Sequence, residues 1–246
     1  MRFIFYYIKD FWYVLRCIGY TLWYCELPND AGNAYAGKSP IVVVQGVLSL
    51  WQAMANLIGV LRSAGHRVFV IPSLGFNTLP VPQGAKAVRE CIERYDLREV
   101  VVIGWSKGGL IGKYAMLFYN QDGRIKKLVT LATPFAGSRS ARLVPGRVFD
   151  ELKPEGAVVR MLADKKEANP VRSKSPKATA DATKSHRTSN WVNASIVSIF
   201  GAFDTAVFPL ESSRLEGAKN IQVGSHGHFE ILFHREALKQ VLRECG

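Results

Sequence analysis

The chain has 246 residues, 48% of them hydrophobic and 21% charged, which is enough for one large domain with a sizeable core and too apolar for a disordered chain. The formal net charge is +12, yet residues 165–187 alone hold seven Lys/Arg against two acids. With no aromatic-interleaved basic face, this reads as a solvated basic loop and argues against a nucleic-acid partner. Four cysteines (Cys17, Cys25, Cys91, Cys245) without C-x-x-C spacing give no disulfide framework, zinc site or cofactor signature, and lean towards a reducing compartment.

Residues 1–39 form the first segment, an apolar aromatic helix and a linker. In "MRFIFYYIKDFWYVLRCIGYTLWYC" the cations Arg2, Lys9 and Arg16 recur every seven residues, a stripe about 40° wide on a helix. Lys9, Asp10 and Arg16 interrupt the stretch, so it makes a poor membrane span. It also lacks the apolar core and small-residue cleavage site of a signal peptide. Two readings stay open: a helix packed on the domain, or an interfacial helix with its basic stripe at lipid headgroups, giving peripheral membrane association through residues 1–25. The expected location is accordingly cytoplasmic or peripheral to a membrane.

Residues 40–246 alternate strand and helix. "IVVVQG", "HRVFVIPS", "REVVVIG", "GRIKKLVTLATP", "ASIVSIFG" and "KNIQVG" read as strands. "LWQAMANLIGVLRSAG", "VPQGAKAVRECIERYD", the stretch after Ser106 and the closing "FEILFHREALKQVLREC" read as helices. This predicts an α/β fold, a mostly parallel sheet with helices on both faces, whose ligand sits at the carboxyl ends of the strands. The rhythm stops at residues 137–192, an insertion expected to act as a lid or cap.

In "VVIGWSKGGL" Ser106 lies where strand turns into helix, with Gly104 and Gly108 flanking it in the pattern G-x-S-x-G. Such a corner needs a strained serine and neighbours without side chains. A serine becomes a nucleophile only if a base takes its proton and an acid orients that base, expected in the order Ser, acid, His. Asp204, just past a buried strand, is the expected acid. The base must come from "VGSHGHFEILF"; His228, opening the closing helix, is preferred over His226. His66 is expected at the surface. The oxyanion donors would be the amides of Val47 and Lys107, the latter at a helix N-terminus; its ammonium is read as solvated, in preference to drawing an anionic substrate group. Leu48, Trp51 and Trp105, beside donors and nucleophile, are the expected substrate contacts.

Taken together, "IVVVQG", "VVIGWSKGGL", "LVTLATPFAGS", "IFGAFDTAVFP" and "GHFEILF" resemble, in order and spacing, the motifs of the bacterial lipase/esterase branch of the α/β-hydrolase superfamily. The resemblance covers about residues 40 to 245. It implies Ser106 as nucleophile, Asp204 as orienting acid and His228 as base, in a serine hydrolase for carboxylic esters of lipids or other apolar acyl groups. Gln45 stands where that family usually has the His of His-Gly, and Phe135 where it has the His of a Thr-Pro-His segment. An acyltransferase with the same triad, and an inactive hydrolase-fold binding protein at a membrane, are the alternatives.

Overall fold

The computed structural model describes residues 2–24, 37–163 and 189–246. The expected basic loop at 165–187, and most of the linker with Cys25, lie outside the described residues.

Six strands, β1 (Ile41–Val44), β2 (Val68–Phe69), β3 (Val100–Trp105), β4 (Ile125–Leu131), β5 (Ile196–Phe200) and β6 (Lys219–Gln222), form one sheet in the order β2-β1-β3-β4-β5-β6. Every pairing is parallel. The cause is in the composition: β1 and β3 are runs of Val and Ile buried along their whole length, as strands covered on both faces must be. Alternate residues serve opposite cores. Val42, Val44, Val100 and Val102 pack towards α3 (Val81–Arg94) and α4 (Lys107–Phe118). Ile41, Val43, Val101 and Ile103 pack towards α2 (Ala55–Ser63) and α8 (Arg235–Cys245).

The chain runs from β1 outward to β2 and then returns to β3 on the other side of β1. That reversal opens a crevice at the carboxyl ends of β1 and β3. The loop beginning at Gln45 and the corner at Ser106 meet there.

The first helix, α1 (Arg2–Trp23), lies on the α2/α8 face, where Cys17 enters the core and Asp10 is buried. Of the two arrangements left open for its cations, the described ones face the domain. Lys9 pairs with Glu230 at 2.8 Å, and the Arg16 guanidinium lies 4.6 Å from the centre of the Phe233 ring. Both point to the domain, because it supplies a carboxylate and an aromatic face that water does not. The outward face is instead apolar, with Ile4, Phe5, Ile8, Phe11, Trp12, Leu15, Ile18 and Leu22 exposed. Among the described residues, no helix is long and apolar enough to cross a membrane.

Three further expectations change. The closing helix begins at Arg235, six residues later than its sequence suggests; residues 230–232 form a separate 3₁₀ turn. The amides of residues 228–230 donate to Asp10 rather than starting a helix. His66 is buried, its Nδ1 3.1 Å from the Ser39 carbonyl. The insertion is partly core: beyond the short α5 (Arg147–Asp150), α6 (Ala157–Ala163) and α7 (Ser189–Ala194) give Val158, Val159, Leu162 and Val192 to the α3/α4 side.

Candidate active site

Ser106 lies between β3 and α4 with φ 55° and ψ −121°, a conformation side chains avoid. The corner is held by Ser106 N donating to the Leu131 carbonyl at 2.8 Å and by the Thr133 hydroxyl donating to the Ser106 carbonyl at 2.9 Å. It closes only over glycine: a Cβ on Gly104 would lie 2.5 Å from the Gly108 backbone, and one on Gly108 would lie 2.1 Å from the Val44 carbonyl oxygen. The strain aims the serine at a cavity of about 440 Å³.

Asp204 lies in the loop after β5, where its Oδ1 accepts from the amides of Ala206 (2.8 Å) and Val207 (2.7 Å). That turn fixes the carboxylate, and both its oxygens stand 3.0 Å from Nδ1 of His228. His228 is buried and lines the cavity with Ser106. Burial opposes its charged form, but the charge and hydrogen bond of Asp204, with the Asp10 carboxylate behind, raise its pKa above 6.5. Nδ1 facing a carboxylate leaves Nε2 as the nitrogen free to take a proton. Ser106 Oγ forms no hydrogen bond with the imidazole, a contact that commonly tightens only with substrate bound.

His226 lies elsewhere. Its ring stacks on Tyr6 of α1 at 4.5 Å between centroids, and its amide donates to Glu230. Of the two histidines, the structure brings His228 to Asp204.

The cavity wall is mostly apolar: Val47 and Leu48 from the loop after β1, Trp105 beside the serine, and Ala141, Phe149 and Leu152 from the insertion. Trp105 also holds the His228 loop, its indole N–H donating to the His228 carbonyl at 3.1 Å.

No protein-family profile matches the sequence, and no curated protein sequence matches it either. Solved structures do match. A Bacillus licheniformis lipase in its mature form superimposes with a TM-score of 0.67 at 14% identity, over 89% of this chain and 97% of that one. Aspergillus fumigatus lipase B gives 0.64 at 18% identity over 87% of this chain, which spans 53% of that protein. Naproxen esterase from Bacillus subtilis gives 0.51 at 14% identity, over 86% and 85%. The chain has the α/β-hydrolase fold.

In this α/β-hydrolase fold the loop after β1 is anchored without a histidine. The Gln45 amide donates to the Gly75 carbonyl at 3.0 Å, and Asn77 donates back to the Gln45 carbonyl. Phe135, the other departure, is a buried core residue. Among the described residues, neither the Val47 nor the Lys107 amide donates to a backbone carbonyl.

Two sequence expectations need correction. Trp51 does not line the cavity. It sits in a 3₁₀ turn (Trp51–Met54) against α1 and is buried in the α2/α8 core, because that core supplies the apolar surface an indole needs. The Lys107 ammonium is not solvated. It donates to the carbonyls of Asn77 (3.2 Å) and Leu79 (2.6 Å) and lies 3.8 Å from Glu151. Burial lowers its pKa, against the opposing pull of Glu151. Lys107 therefore ties the loop before α3 and the insertion to the N-terminus of α4.

Sequence reading also missed Asp10, which reaches the His228 loop from α1, although the only acid in a 22-residue apolar helix was a signal. It missed Thr205, Ser138 and Ser140, which line the cavity. A serine or threonine in a loop carries no signal of that kind.

Proposed function

We propose that the protein is a serine hydrolase of carboxylic esters with apolar acyl groups. Ser106 attacks the carbonyl, His228 takes the proton and returns it to the leaving alcohol, and Asp204 orients and stabilises the imidazolium. The amides of Val47 and Lys107 receive the negative charge of the tetrahedral oxygen. Water, activated by His228, then releases the acyl group. The observation that carries this reading is the buried imidazole held by Asp204 on the same cavity wall as a strained serine. The cavity supports an apolar acyl group, since it is within the range of small-molecule sites and mostly hydrocarbon-lined.

Hydrolysis of a p-nitrophenyl ester series from acetyl to palmitoyl tests it. Loss of activity in Ser106→Ala and His228→Ala, with His226→Ala active and a chain-length optimum in the wild type, is the expected result. A fluorophosphonate probe that fails to label Ser106 would favour an inactive binding protein.

We also propose that α1 rests on a lipid surface. Its outer aromatic and aliphatic face is exposed, and at its N-terminal end Phe3 and Tyr7 share a hollow with Leu143 and Phe208, beside the cavity that Leu143 also lines. The net charge of +12 suits anionic headgroups. Flotation with phosphatidylglycerol vesicles should carry the wild type and release a Phe5→Ser/Phe11→Ser/Trp12→Ser variant. A dimer in solution that this variant dissolves would assign the face to a second copy instead.

A further inference from the structure

The Asp10 carboxylate is buried under the domain and receives four donors. Its Oδ1 accepts from the amides of Phe229 (2.9 Å) and Glu230 (2.8 Å), and its Oδ2 accepts from the amide of His228 (3.0 Å) and from the Thr205 hydroxyl. The Thr205 oxygen itself accepts weakly from the His228 amide at 3.3 Å. Three successive amides that would otherwise be orphaned at a turn are thus satisfied by one side chain from the far end of the chain. The approach is close: a Cβ on Gly227 would lie 2.2 Å from Asp10 Oδ1, so the residue before His228 must be glycine for the carboxylate to fit. Neighbouring contacts seat the same helix against the same loop. Lys9 pairs with Glu230, whose other oxygen accepts from the His226 amide, and Tyr6 stacks on His226.

An ordinary cap would need one or two of these bonds. Here every donor belongs to the segment carrying the base or to Thr205, the neighbour of the orienting acid. We infer that Asp10 is a positioning residue for the active site: it holds the 228–230 backbone from α1 and so sets where the His228 imidazole stands between Asp204 and Ser106. This rests on the reading of His228 as the base. The helix that presents an apolar face outward carries, on its inner side, the support of the histidine.

The groups facing His228 are Asp204 from the loop after β5 and Asp10 from α1, with the Lys9–Glu230 pair and His226 flanking the loop. Asp10 adds negative charge that favours the imidazolium. Asp10→Asn therefore predicts two effects that a purely architectural residue would not give. The acid limb of kcat/KM should move to lower pH, and kcat should fall about 10- to 100-fold with KM little changed, as for a misplaced catalytic group. Cys17→Ala, on the same helix but away from the loop, is the control for stability and should leave both unchanged.

The experiment pairs these kinetics on a p-nitrophenyl ester with an NMR titration of His228 in the full chain, its signal assigned by loss in His228→Gln. A His228 titration shifted down in Asp10→Asn, with reduced kcat, supports the inference. A titration and a kcat both equal to wild type in folded Asp10→Asn overturn it. If the wild type cleaves no ester, the functional reading fails, and the NMR arm still decides whether Asp10 acts on His228. If Asp10→Asn does not fold, Asp10→Glu replaces it: the charge stays and the reach is longer by one methylene. His228 should then titrate near the wild-type value with kcat reduced, and a wild-type kcat would overturn the inference.

Discussion

Both oxygens of Asp204 stand 3.0 Å from Nδ1 of His228, while Oδ1 also accepts from the amides of residues 206 and 207. The carboxylate is fixed by its own turn before it meets the ring, so the ring, not the acid, adapts. Asp204→Asn keeps that turn but presents an amide to Nδ1, favouring the wrong tautomer. Its kcat should fall by about 10³- to 10⁴-fold with near-normal binding of substrate, as read in ester hydrolysis.

The same pair sets a pH dependence with opposite signs for activity and stability. A base must be neutral, so kcat/KM should rise with pH through the pKa of His228, which lies above 6.5. The folded chain binds this proton more tightly than the unfolded one. The stability it contributes is therefore fully present below pH 6.5 and is lost as pH rises through the folded value. In His228→Gln, denaturant unfolding followed across this window should lose that component of the slope.

Lys107→Met should destabilise the fold by about 1–3 kcal/mol, since the carbonyls of Asn77 and Leu79 would lose a buried donor. The loss should be accompanied by faster proteolysis in residues 144–163, where Glu151 loses its cation. Unfolding curves and mapped cleavage sites check both.

Lys113 presents the opposite case. It is buried on α4 with its ammonium 5.7 Å from the centre of the Phe135 ring, and burial pushes its pKa down to about 8. Between about pH 8 and 10.5 the unfolded chain holds this proton and the folded chain does not, so stability should rise with pH there. Lys113→Met should raise stability at pH 7 by on the order of 2 kcal/mol and flatten that rise. An unchanged urea midpoint at pH 7 would contradict it.

What the sequence made legible was local. Val-Val-Val-Ile before Gly104 and Gly108 marks both a buried strand and a corner, because the β-branched residues and the missing side chains act within ten residues of one another. The loops holding Asp204 and His228 could be found because strand ends and chain order point to them. The start of α8, the direction of Lys9 and Arg16 and the burial of Trp51 depend instead on partners that only the tertiary fold supplies. Asp10 and Phe229 are 219 positions apart, and no window along the chain contains both. The Lys107 side chain went astray for the same reason: the polar groups it needs come from residues 77, 79 and 151.

The bond from Asp10 to the Phe229 amide also orders events in time. At ribosomal rates of about 5–20 residues per second, the 219 positions between them take roughly ten to forty seconds to synthesise. During that interval the carboxylate lacks its amide partners, and for roughly the latter half of it the strained serine corner at 104–108 is already in the nascent chain. Assembly of the histidine's support is thus a late, long-range step, and a ribosome-bound chain ending before residue 228 holds Ser106 without His228.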